Sequence, residues 1–90
     1  MAKILICDDE AGLRAVIKRY AIFEGHDVME AGDGMEAVQL CRDNTFDIII
    51  MDIMMPVLDG FSAVKEIRKF SDTPIIMLSA RGEEYDKVLG

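Results

Sequence analysis

Ninety residues leave room for one domain and one site of chemistry. Seventeen acidic against ten basic side chains give a net charge of −7, which argues against nucleic acid or an anionic membrane as a partner and favours a cation or a basic surface. The hydrophobic fraction of 51% beside 30% charged residues excludes a disordered chain, and no apolar run approaches the ~20 residues that cross a bilayer.

Four short stretches are apolar at consecutive positions: 4–7, 28–29, 48–51 and 75–78. Runs of that kind suit strands buried on both faces of a parallel sheet. Lys3 leads through the first run directly into Asp8-Asp9-Glu10, with no positively charged apolar leader, so a cytoplasmic protein is expected. Leu13, Val16, Ile17, Tyr20 and Ala21 recur at helical spacing, and Gly25 closes that helix before the second strand. Asp33 is placed to cap a second helix carrying Ala37, Leu40 and Cys41. Asp59 is placed to cap a third, carrying Val64, Ile67 and the apolar stem of Arg68. Pro74 introduces the fourth strand, and 83–89 begin a further helix. Strand and helix alternate throughout, which predicts an α/β doubly wound parallel sheet in one domain over residues 1–90. Cys7 and Cys41 lie in apolar stretches without CxxC spacing and are expected as buried free thiols. His26, with no second His or Cys nearby, is expected at the surface and not on a metal.

Ligands of open α/β sheets bind beyond the carboxyl ends of the strands. Asp8 and Asp9 follow the first strand, Asp52 the third and Ser79 the fourth. If the first and third strands are neighbours, three carboxylates converge, and their repulsion calls for a hard divalent ion that also takes phosphate oxygens. Acidic residues at strand ends also cap helices, and for Asp9 alone capping is the simpler expectation. Asp52 is different, because it precedes Ile53-Met54-Met55-Pro56, where no helix starts.

Three blocks carry a family resemblance: Ile4-Leu5-Ile6-Cys7-Asp8-Asp9-Glu10, the segment from Asp47 through Asp52 and Pro56 to Asp59-Gly60, and Pro74-Ile75-Ile76-Met77-Leu78-Ser79-Ala80-Arg81. In order and spacing they resemble the receiver domains of two-component response regulators, of the kind found in OmpR/PhoB-type transcription regulators. The resemblance implies a flavodoxin-like (CheY-like) fold with strand order 2-1-3-4, and Asp52 as the acceptor of a phosphoryl group from a sensor histidine kinase. It implies Mg²⁺, or Mn²⁺ in its place, on Asp9, Asp52 and the Met54 carbonyl, with Asp8 acting through water. Ser79 and Ala80 would contact the phosphoryl group, Met54 and Arg81 would tune its lifetime, and Pro56 and Gly60 would shape the loop after the third strand.

Family members continue to a fifth strand bearing a lysine, an aromatic switch residue and a fifth helix. Neither Lys69 nor Lys87 stands at the position of that lysine, and Tyr85 does not match the aromatic. Without a fifth strand, residues 75–78 form an exposed apolar edge, so a homodimer or strand-exchanged oligomer is expected, or a receiver-like fragment that does not switch. An enzyme such as a haloacid-dehalogenase-like phosphatase is the other alternative, but its Asp-x-Asp signature is absent, since Asp8 and Asp9 are adjacent.

Overall fold

The computed structural model describes residues 1–78. The elements follow in the order β1 (Lys3–Cys7), α1 (Ala11–Phe23), β2 (Asp27–Ala31), α2 (Gly34–Asp43), β3 (Ile48–Asp52), α3 (Gly60–Ile67) and β4 (Ile75–Leu78). All strand pairs are parallel, in the order β2-β1-β3-β4. The second strand extends one residue before and two residues beyond the apolar pair Val28-Met29, because five backbone pairings with β1 run from Lys3–Asp27 to Cys7–Ala31.

That order makes the chain step one way from β1 to β2 and the other way from β2 to β3. Right-handed crossovers therefore place α1 on one face of the sheet and α2 and α3 on the other. The second face carries the core: Leu5, Cys7, Ile49 and Met51 of the strands pack with Ala37, Val38 and Cys41 of α2 and Ala63 and Ile67 of α3. Each large side chain sequestered there is worth about 1.5–3 kcal/mol.

The face beneath α1 is more open. Ile4 and Ile6 are buried, but Ile48 and Ile50 are only half-buried and Ile76 is 49% exposed. The helix forms where its periodicity predicts, yet none of its residues is buried, and Val16, Tyr20 and Phe23 stand exposed. α1 covers β1 and β2, whereas the apolar residues of β3 and β4 on that face have no helix above them among the described residues.

Helix ends follow the side-chain chemistry. Asp33 accepts from the Glu36 amide at 2.8 Å and Asp59 from the Ser62 amide at 2.9 Å, so both act as N-caps. Gly25, at φ +88°, closes α1 in the left-handed conformation that a side chain resists. Arg68 belongs to no apolar stripe. It ends α3, is exposed, and its Nη1 donates to the carbonyls of Ser71 and Thr73, because a guanidinium can satisfy the carbonyls of the turn. Both cysteines are buried free thiols. His26 is half-buried, since its Nδ1 accepts from the Ala2 amide at 2.9 Å and ties the start of the chain to the α1–β2 corner.

Candidate functional site

The direction of chain progress reverses between β1 and β3, so the crevice beyond their carboxyl ends is where a ligand belongs. Both strands end there in an acid. The Asp8 amide still bonds to the Ala31 carbonyl at 3.0 Å, which holds its backbone as an extension of β1. Its Oδ1 accepts from the Glu10 amide at 2.8 Å, and its buried Oδ2 has no hydrogen-bond partner among the described residues. Asp52 closes β3, opposite Leu78 of β4, and is fully buried; its Oδ1 accepts from the Met54 amide at 3.3 Å. Asp9 is exposed at the mouth.

Asp8, Asp9 and Asp52 each present a carboxylate oxygen within 4.8 Å of the others. Asp9 is not the helix cap: Glu10 holds that position, and its side chain makes no capping bond. Carboxylates at this spacing repel one another, and a cation among them would relieve that repulsion. An all-oxygen donor set in which Asp8 Oδ2 meets no donor among the described residues fits a hard divalent ion such as Mg²⁺.

The loop between β3 and α3 forms one wall, and Asp9, Met54, Met55, Pro56, Asp59 and Phe61 line a shallow depression against it. Gly60 is required by contact and not by dihedral angle. A Cβ there would lie 2.3 Å from the Asp52 carbonyl oxygen and 2.8 Å from the Ile53 Cα, and the Gly60 amide donates to the Ile53 carbonyl at 2.8 Å. Gly34 clamps the other end of the loop, since a Cβ there would lie 1.9 Å from the Leu58 carbonyl oxygen. Between these fixed points Val57 has φ +68°, and the Leu58 amide donates to the Pro56 carbonyl at 2.7 Å, a γ-turn centred on a β-branched residue. Pro56 leads into that turn.

The sequence brought Asp8, Asp9, Asp52, Met54, Pro56 and Gly60 to one place, and the structure keeps them together. Ser79, Ala80 and Arg81 lie outside the described residues, as do Tyr85 and Lys87. Lys69 is exposed just past α3 and pairs with Glu66 at 2.9 Å. Two participants escaped the sequence reading. Gly34 had no signal beyond being a small residue after a cap. Arg14, whose Nη1 donates to the Asp8 carbonyl at 2.5 Å, gave no signal in the sequence, since it falls outside the apolar stripe of α1.

An open parallel sheet in the order β2-β1-β3-β4, with three acids meeting at its strand reversal, is a doubly wound α/β fold with a crevice at its topological switch point. The chain belongs to the response regulator receiver domain family, which it matches over residues 4–89. It is 47% identical over 88 residues to a probable transcriptional regulator, ycf27, of Guillardia theta, covering 98% of this chain and 35% of that protein. Against the CpxR homolog of Haemophilus influenzae, a transcriptional regulatory protein, identity is 42% over 90 residues, covering all of this chain and 39% of the relative. The chain thus spans little more than a third of these relatives. The receiver domain of the Francisella response regulator 1452 superposes with a TM-score of 0.86 at 39% identity, covering 99% of this chain and 74% of that one. The receiver domain of the Pseudomonas aeruginosa sensor histidine kinase PA1611, which holds a magnesium ion in its active-site cleft, gives 0.87 at 34% identity, with 97% and 74% covered. No helix among the described residues is long and apolar enough to cross a membrane.

Proposed function

We propose that residues 1–90 form a single receiver unit that accepts a phosphoryl group on Asp52 from a phosphohistidine of a sensor kinase, with Mg²⁺ bound beside it. The observation that carries this is the meeting of Asp8, Asp9 and Asp52 within 4.8 Å at the carboxyl ends of β1 and β3. Asp9, Asp52 and the Met54 carbonyl would hold the ion, and Asp8 would reach it through water. When bound, the ion neutralises the oxygens of the incoming phosphate. A carboxylate oxygen of Asp52 attacks phosphorus, the P–N bond to the donor histidine breaks, and the product is an acyl phosphate. Ser79 and Ala80 would receive the phosphoryl oxygens, and Met54 and Arg81, flanking the site, would set how soon water removes the group. Mn²⁺, which shares the preference for oxygen donors, would serve in place of Mg²⁺.

The module is a phosphoacceptor and not an enzyme in its own right, although small phosphodonors would load it directly. In a longer protein of the kind its relatives represent, its output would be transcription control in the cytoplasm. With a net charge of −7 the segment itself would leave DNA to another domain. Incubation with acetyl phosphate and Mg²⁺ tests the assignment: intact-mass spectrometry should show one added phosphate on the parent chain and none on Asp52→Asn. Labelling retained in that variant defeats it.

A specific feature favours self-association as a second property. β4 pairs with β3 alone among the described residues, and Ile76 stands 49% exposed. Such an edge can add a strand from a second copy, as a homodimer or by strand exchange. Light scattering across a concentration series should show growth in mass, and a constant monomer mass would rule it out.

A further inference from the structure

Arg14 lies one turn into α1, well outside the acidic crevice in sequence, yet only 18% of its side chain is exposed. Its guanidinium makes two directed bonds: Nε to Glu30 Oε1 at 3.0 Å and Nη1 to the backbone carbonyl of Asp8 at 2.5 Å. Lys18 reaches the other oxygen of Glu30 at 3.3 Å, so the guanidinium is held from behind by a carboxylate that is itself held. A planar fork with two fixed partners has little freedom left.

The Asp8 carbonyl and the Asp9 amide belong to one peptide plane. Fixing that oxygen fixes where the Asp9 Cα begins and hence the direction in which its exposed carboxylate can project. Asp8 is already tied on both sides, by its amide to Ala31 and by its Oδ1 to the Glu10 amide. Asp9 sits between that anchored strand end and the first turn of α1, where the Arg14 amide returns to the Glu10 carbonyl at 3.1 Å.

We propose that Arg14 is a positioning residue for the cation site, setting the peptide plane between Asp8 and Asp9 so that both carboxylates converge with Asp52. This rests on the cation-binding role proposed above. The direction of the effect separates positioning from simple electrostatics. A positive charge near a cation site opposes binding, so removing it would tighten Mg²⁺ if charge were all that mattered. Positioning predicts the opposite sign.

Titration calorimetry with Mg²⁺ and Mn²⁺ at fixed ionic strength, on the parent chain and on Arg14→Ala, Arg14→Lys and Glu30→Gln, reads the difference. Arg14→Ala should bind either ion about tenfold more weakly, the low end of what loss of an outer-shell support costs a metal site. Arg14→Lys keeps the charge but loses the fork, and should weaken binding similarly. Glu30→Gln keeps a side-chain acceptor for Arg14 and the bond from Nη1 to Asp8 but loosens the hold from behind, so it should weaken binding clearly less than the Arg14 variants do. Circular dichroism confirms that each variant is folded, and Arg14→Lys carries the test should the alanine variant unfold. Affinity equal to or tighter than the parent's in folded Arg14 variants overturns the proposal. So does an equal loss in Glu30→Gln, which would assign the effect to the tie between α1 and β2. A parent chain that binds neither ion defeats the cation site itself, an outcome distinct from a binding parent with unaffected variants.

Discussion

Replacing Asp8 by Asn should stabilise the protein in the absence of divalent ions and remove its response to them. Asp8 and Asp52 are both fully buried, with oxygens within 4.8 Å. At that separation their repulsion is about 0.9 kcal/mol for a dielectric of water and about 3.5 kcal/mol for the effective value of roughly 20 that suits such sites. The substitution preserves what the side chain holds, because the amide oxygen can still accept from the Glu10 amide. It also improves what the side chain lacks: the Asn Nδ2 replaces a buried oxygen that has no donor among the described residues and can itself donate to a neighbouring carboxylate. A net gain of about 1 kcal/mol would raise the unfolding midpoint by roughly 4–8 °C for a chain of this size. Thermal unfolding followed by circular dichroism in EDTA, then with Mg²⁺, measures both halves. Ligand at a hundred times its dissociation constant adds about 2.7 kcal/mol to the parent, and the variant should gain much less. An Asp8→Asn chain that melts below the parent in EDTA, or gains as much from Mg²⁺, refutes the claim that repulsion between Asp8 and Asp52 shapes this site.

Other outcomes follow from the loop and the titrating groups. Val57→Gly should stabilise by about 1 kcal/mol, since it relieves a left-handed β-branched residue, as a shift in the urea midpoint will show. Gly60→Ala should cost about 1–3 kcal/mol and weaken Mg²⁺ binding, because its Cβ would push on the Asp52 carbonyl; unchanged unfolding and calorimetry would contradict this. Burial tends to raise the Glu30 carboxyl, but hydrogen bonds from Arg14 and Lys18 outweigh it and hold the group below its ordinary range. Its contribution is therefore present above about pH 4.3 and fades as the pH falls through the lowered value, so the stability gap between the parent and Glu30→Gln should close in acid. Burial pushes the Cys41 thiol up to about 11 and raises Cys7 further, aided by the neighbouring Cys41. Neither should react with iodoacetamide at pH 8 until urea is added.

Much of the fold was legible because its signals are local. Consecutive apolar residues at 4–7 and 48–51 announce the two central strands, although β3 is buried on one face and only half-buried on the other, and Asp33 and Asp59 cap helices through atoms three residues away. The acidic cluster was legible for a different reason: ligands of such sheets gather beyond the carboxyl ends of the strands, where Asp8, Asp9 and Asp52 all stand. What escaped depends on contact between segments distant along the chain. Periodicity marks α1 as a helix but says nothing of how much of Val16 or Tyr20 is covered, which is a matter of what lies above them. Gly60 was expected to shape the loop after the third strand; the left-handed residue of that loop is Val57, and Gly60 is needed for the close approach of Asp52. Arg14 acts through a carbonyl, which no side-chain pattern encodes.

The two glycine contacts leave the loop after β3 with no slack. One end rests on the backbone of Asp52 and Ile53, the other on the first residue of α2. A displacement of the Asp52 carbonyl has nowhere to dissipate: it bears on the start of α3 at Gly60 and, through Leu58, on the start of α2 at Gly34. The buried acid is thus tied through one short loop to the first residues of two helices, both themselves buried, so a shift at the strand end would press on both helices together.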